Sequence, residues 1–337
     1  MLAEALRLTT SQEDIDELTA QLEAELKECE ATTVSYKNKL KQFMMENDIW
    51  QISELNYYWR EKYCEYLKNR MSKTSCELYI KTFDRVKLHS LRKQPQIILA
   101  GKRQRLEYAD EILYLPYHPN IEIAERFCRE NNKNLLAWDF TLIAAEKLKR
   151  QIFQVLHYFI ENAANSERMH AQLGGLARLY DFCILEQIED LEKLEIDQIE
   201  RFQKTFTTEY QRHYYAGVTY WCGRALFMEA EEIHWDANVW YMERMHLQPE
   251  RIDPAAPIMS LSFAEVTNKE NRKLLQKYLR YGIGIANLSI SSLRTEFLVV
   301  RKFLGDMNQP ETENICMVTE QQMDASVSYT HLRAHET

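Results

Sequence analysis

Along most of the chain apolar residues recur every three or four positions, the spacing of helices that bury one side. From about residue 10 to 46, Ile15, Leu18, Leu22 and Leu26 keep this spacing behind a Thr10/Glu13 capping-box pattern. Residues 49–91 predict two or three short helices, with SELNYYWREKYCEYLKNR and SCELYIKTFDRVKLHSL separated by a Ser/Lys break. Two short apolar runs, 96–99 and 112–115, flank GKRQR and predict one small β-hairpin within 96–115, ended by Pro116 and Pro119. Helices return between 121 and 206, among them EKLKRQIFQVLHYFIEN and LGGLARLYDFCILEQI. WDANVWYMERMHL, with Asp236 placed to cap it, predicts another helix. A loop holding Pro249, Pro254 and Pro257 then reads as the clearest domain boundary. Beyond it, Ser262 with Glu265 and Thr267 with Glu270 form capping-box patterns that open further helices.

These signals divide the chain into a helical arm (1–45), a first helical module (46–120), a second (121–232), and a linker with a last module (233–326). A short pattern also echoes. Residues 49–57 (IWQISELNY) are loosely matched by 191–199 (LEKLEIDQI) and by 315–323 (ICMVTEQQM). Each has an apolar pair three residues apart, followed in two of the three by a polar residue able to start a helix. This is either an internal repeat or the likeness of any two short helices.

Composition sharpens the class. Only 8 glycines and 7 prolines occur in 337 residues, so few tight turns are available and a mainly α fold is expected. No apolar run reaches the ~18–20 residues of a membrane span, so no membrane partner is expected. Seven cysteines, none in a C-x-x-C arrangement, point to small buried hydrophobes in a reducing cytoplasm. The net charge of −9 argues against a polyanionic partner until its distribution is considered. Residues 1–32 hold 9 acids and 2 bases, whereas 33–106 hold 16 bases and 7 acids. Residues 181–200 carry 8 acids and one lysine, and 251–305 carry 9 bases and 4 acids. Two basic blocks can therefore form footprints that the total conceals.

Three candidate chemistries follow. Glu-x-x-His occurs at Glu167/His170, Glu231/His234 and Glu243/His246, which places carboxylate and imidazole on one helix side as carboxylate-bridged di-iron bundles require. Surface or capping roles are the plainer alternative. Gly282, Gly284 and Asn287 approximate a dinucleotide loop but lack its third glycine and its preceding strand, so a helix end is the alternative. The basic stripe is richer. Lys269, Lys273, Lys277 and Arg280 share one row, with Arg272 beside them, and Arg294 and Arg301 repeat seven apart with Lys302 adjacent. Such rows can grip phosphates, or can simply be solvated.

The last helices, SISSLRTEFLVVRKFLGDM followed by ICMVTEQQMDA, resemble the core-binding domain of tyrosine-type site-specific recombinases, the phage-integrase family. LNYYWREKYCEYLKNR, LPYHPNIEIAERF and WYMERMHLQPERIDP look like the long amino-terminal regions of integrases from bacterial mobile elements. The resemblance covers most of 45–325. It implies tandem helical (SAM-like) modules, double-stranded DNA as partner, self-association on DNA, and a cytoplasmic, nucleoid-associated location. Lys269, Arg272, Lys273, Lys277, Arg280, Ser291, Arg294, Arg301 and Lys302 become the expected DNA contacts. The family attacks a phosphate with a tyrosine, supported by Arg, Lys and His-x-x-Arg groups and no metal. None of that constellation is locatable here, so no catalytic residue, cofactor or metal is expected. Residues 327–337 (VSYTHLRAHET) match, residue for residue, one reading frame of a transposase-end sequencing adapter. They are expected to be non-native, which makes the i, i+4 pair His331/His335 an accident. The other function classes left open are a helical protein-interaction module and a di-iron enzyme.

Overall fold

The computed structural model describes residues 12–29, 33–68, 70–94, 108–130, 135–255, 257–307, 313–319 and 321. The 96–99 run and the 327–337 tail lie outside them. The fold is mainly helical, and the chain divides into two compact units at 142/143. Among the described residues no helix is long and apolar enough to cross a membrane.

The first unit runs α1 (Gln12–Glu28), α2 (Val34–Glu46), a 3-10 turn (Ile52–Glu54), α3 (Tyr57–Lys68), α4 (Lys73–Lys93), β1 (Ile112–Tyr114), α5 (Ile121–Phe127) and β2 (Ala137–Asp139). Leu22 and Leu26 of α1 are buried in the same core as Leu40, Phe43, Ile52, Tyr63, Phe83 and Val86. The helices Gln12–Glu28 and Val34–Glu46 therefore form no separate arm, because their apolar stripes close the core of the helices after them. The strand at 112–114 exists, but it pairs antiparallel with 137–139, Leu113 opposite Trp138. The small antiparallel sheet expected here thus has 137–139 as its second strand, reached by a connection that carries α5, while the 96–99 run lies outside the described residues.

The second unit runs α6 (Glu146–Asn162), α7 (Ser166–Leu185), a 3-10 turn (Leu191–Lys193), α8 (Ile196–Lys204), α9 (Glu209–Tyr214), α10 (Val218–Glu229), β3 (Val239–Tyr241) and β4 (Ser260–Ser262). It continues through α11 (Lys269–Gly284), α12 (Ile290–Met307) and a third 3-10 turn (Ile315–Met317). Two expectations change. Val239, Trp240 and Tyr241, β-branched and aromatic, form a strand instead of a helix capped by Asp236. The proline loop is not a boundary either, since β3 before it pairs with β4 after it, Trp240 opposite Leu261. The cap of α11 is Asn268, whose side chain accepts from Asn271 N at 2.9 Å, one residue beyond Thr267. α11 ends at Gly284, and Asn287 follows at φ 51°, in the left-handed region that asparagine tolerates.

The echo in the sequence belongs to a much longer repeat. α2 and α7 both end in a left-handed residue, Asp48 (φ 56°) and Gln187 (φ 54°). Ile49 N then reaches back to Met44 O, and Ile188 N to Cys183 O, each at 2.9 Å. The matching register sets Ile52 against Leu191 and Ile315, three residues away from the alignment of Ile49 with Leu191. In each unit the helix that begins the strand segment (α4 or α10) packs on the second helix and on the 3-10 turn. The hairpins repeat bond for bond. Phe140 N donates to Glu111 O (3.1 Å) as Phe263 N does to Asn238 O (2.7 Å), and Leu115 N donates to Leu136 O (2.8 Å) as Met242 N does to Met259 O (3.0 Å). A third copy starts at α11 and α12. Its Ser289 accepts from Ser292 N at the position where Asn165 accepts from Arg168 N.

One device recurs in all three copies. The N–H of the first turn residue is taken by a side chain from the first helix: Ile52 by Glu25 (3.0 Å), Leu191 by Gln151 (2.8 Å) and Ile315 by Asn271 (2.7 Å). Gln151 also donates to Asp190 Oδ1 at 2.7 Å. Gln151→Leu should lower stability by about 1–3 kcal/mol, since it leaves a buried N–H without a partner. Urea unfolding should show a lower midpoint with an unchanged slope, and an unmoved midpoint would refute the role.

Lys87 is buried, donates to Ser53 O at 2.9 Å, and is pushed down to about pKa 8 by desolvation. Unfolded, it titrates near about 10.4. Between pH 8 and about 10 the unfolded state binds more protons, so stability rises with pH; below pH 8 both states are protonated and the contribution is flat. Lys87→Met should remove that rise in urea midpoints measured across the window, and an identical profile would exclude it.

Candidate nucleic-acid interface

α11 owes its shape to one apolar stripe and one basic row. Leu275, Leu279 and Ile283 are buried with Trp240, Phe263, Leu293 and Phe297. Lys269, Lys273, Lys277 and Arg280 are exposed along the same helix. Lys273 pairs with Glu270 at 2.8 Å, with both side chains more than half exposed. Such a pair is worth about 0–1 kcal/mol, little enough for a phosphate to displace. Arg280 lies over the Trp235 ring, 5.0 Å from its centroid, which fixes the guanidinium at one end of the row. Lys277 makes no ion pair or hydrogen bond among the described residues.

Arg272 requires a correction. It is 6% exposed and its guanidinium is spent inside the unit. Nε donates to Val266 O (2.9 Å), Nη1 to Glu195 Oε1 (2.8 Å) and Asn238 Oδ1 (2.8 Å), and Nη2 to Glu195 Oε2 (2.6 Å). The fork joins the start of α8, the residue before β3 and the third copy's first helix, so it is not available to a nucleic acid. Helical spacing alone missed this because Arg272 sits one step round from the lysine row, where the helix turns inward.

Arg301 is also committed. Nε lies 3.0 Å from Glu265 Oε2, Nη1 donates to Ser262 O at 3.2 Å, and the group rests 5.3 Å from the centroid of Phe297. Ser291, Arg294 and Lys302 stay exposed on α12. They do not extend the α11 row. The Tyr278–Glu296 hydrogen bond and the approach of Gly282 to Leu293 mark the side of α11 that meets α12, whereas Arg280 on Trp235 marks the opposite flank. The cations of the two helices thus form two groups, with Leu274, Tyr278, Tyr281, Leu298 and Val299 exposed on the same pair of helices.

Elsewhere several cations pair with acids of their own unit. In the first, Lys41 pairs with Glu23 at 2.5 Å, Lys93 with Glu28, and Arg60 with Asp84 at 2.8 Å. In the second, Lys147 pairs with Asp190 at 2.6 Å, Arg201 with Glu186, and Arg272 with Glu195.

The Glu-x-x-His pairs do not converge. Glu243 binds Arg224 at 2.5 Å, and His234 Nδ1 lies 2.7 Å from Glu192 Oε2. Burial pushes the Glu192 carboxyl pKa up, against the pull of His234. Among the described residues no group of three or more His, Cys, Asp or Glu is placed to hold a metal ion.

No protein-family model, curated protein or solved structure matches the chain.

Arg272→Met should cost about 3 kcal/mol, because it strands Glu195 and the Val266 carbonyl, while Lys277→Met should stay within about 0.5 kcal/mol. Urea unfolding of the two variants distinguishes a structural arginine from a surface lysine, and equal midpoints would contradict the assignment.

Proposed function

We propose that this chain is the DNA-binding, amino-terminal portion of a site-specific recombinase of a mobile element, gripping duplex phosphates through α11. The observation that carries this reading is the exposed row Lys269, Lys273, Lys277 and Arg280 on a helix whose other side is core. Counting from the shared acceptors, Asn271 with Gln151, the equivalent positions of α6 in the preceding copy hold Lys149, Phe153, His157 and Ile160. The row is therefore particular to the third copy and is not demanded by the shared fold. The likeness of α12 and the turn after it to a recombinase core-binding domain supports the same reading.

Phosphate contact positions a protein on the duplex and carries little sequence information. Arg294 and Lys302 of α12 offer a second, separate pair of contacts. Catalysis is assigned to no residue of this chain.

The test is binding of the full chain to a short random-sequence duplex at several salt concentrations. Each phosphate contact contributes a slope of about −0.9 in log K against log salt, so four contacts give about −3.6. The triple variant K269E/K273E/K277E should lose more than tenfold in affinity and flatten the slope by about 2.7. Absence of binding by the unmodified chain, or an unchanged slope in the variant, overturns the reading.

A further inference from the structure

The repeat supplies its own comparison for the exposed side of α12. Counting from the shared cap, Ser289 with Asn165, residues Leu298, Val299 and Val300 stand where α7 has Gly174, Gly175 and Leu176. In the second copy all three positions are buried. A Cβ on Gly174 would lie 2.5 Å from the Tyr215 hydroxyl, and one on Gly175 would lie 3.1 Å from Val218, so the start of α10 lies directly on this side of α7. In the first copy the position of Gly175 is held by Tyr36, whose ring meets Tyr79 of α4 at 4.6 Å between centroids. Both complete copies cover this point with the helix that precedes their hairpin.

In the third copy the same point is open. Leu298 is 40% exposed, Val299 66% and Val300 36%. On the first helix Tyr278, 45% exposed, borders the same surface. The buried side is kept, since Leu293, Phe297 and Leu304 match Met169, Leu173 and Tyr180, all of them buried. The copy has its first two helices, its turn and the captured Ile315 N–H, but no covering helix among the described residues. α4 and α10, the two helices of that kind, are each buried in their own copy.

We infer that the exposed side of α11 and α12 centred on Leu298 and Val299 is a docking site for one amphipathic helix of the α4 and α10 type. That helix is a separate partner segment. It presents an aromatic or β-branched residue to Val299, as Tyr79 meets Tyr36 and Val218 meets Gly175. Arg294 and Lys302 lie one turn to either side of Leu298, so the partner carries acidic residues at its flanks. Burying two branched side chains that now stand half in water favours such docking, by the same apolar transfer that holds α4 and α10 in place. The inference does not depend on the nucleic-acid reading, because Leu298 and Val299 are not in the lysine row of α11.

The probe is a fluorescein-labelled peptide of residues 72–94, the α4 sequence, titrated with the full chain and followed by anisotropy. Saturable binding is expected, weakened at least tenfold by L298K/V299K. Both residues are exposed, so this variant should keep the urea midpoint of the unmodified chain, while its uncharged counterpart L298Q/V299Q should lose the peptide and keep the DNA salt slope. Failure of the peptide to saturate, or equal binding by the variant, overturns the proposal. Size-exclusion chromatography adds a second arm: a dimer of the chain abolished by L298K/V299K would assign the surface to a second copy and overturn the separate-helix occupant. Loss of peptide binding with an intact DNA slope, or the reverse, separates this inference from the phosphate-gripping one.

Discussion

A backbone N–H that the core has removed from water must be given an acceptor, and this chain meets that demand in the same way three times. The first two copies turn sharply after their second helix, and all three enter a 3-10 turn whose first N–H has no helical partner. A side chain from the first helix supplies the acceptor: Glu25, Gln151 or Asn271. The residue type changes and the carbonyl or carboxylate oxygen does not. The bond ties first helix to turn, the turn sets the direction of the next helix, and the covering helix then finds both at once.

The same economy explains the alternation of charge. Acidic and basic blocks lie apart in sequence, and the fold brings some of their members together within each unit. Lys93 meets Glu28, and Arg272 meets Glu195 across 77 residues. Exposed pairs of this sort add little stability, whereas the Arg272 fork, buried and making four hydrogen bonds, is costly to break. A basic block read from sequence thus overstates what is offered to a polyanion. Along α11 a row of cations stays exposed.

The third copy differs from the others in two linked respects. It replaces the mixed residues of α6 with a lysine row, and it replaces the glycines of α7 with Leu298 and Val299. The first change adds a charged surface, while the second removes the close approach that Gly174 and Gly175 allow to Tyr215 and Val218. A helix docked there must stand off by the width of a branched side chain, as α4 does from Tyr36. The charged and apolar surfaces occupy different sides of one helix pair, so phosphate contact and helix docking are compatible.

Helical class was legible from apolar spacing and from the scarcity of glycine and proline, because both act locally. The lysine row was equally plain, since residues three and four apart share a side of any helix. The echo at the three turns was visible, but its register was not. Asp48 and Gln187 have no chemistry in common, and their left-handed backbone, with the Ile49 and Ile188 hydrogen bonds that follow it, aligns them. The strand at 239–241 was misread as helix because a three-residue strand has too little pattern to compete with the helical spacing around it. Pairing of β3 with β4 across a proline loop, the burial of Arg272 and the openness of Val299 depend on which segments meet, a property of distant residues that no local window contains. Local spacing therefore determined the helices and their basic side, and tertiary packing alone decided which of those charges and apolar groups remain for a partner.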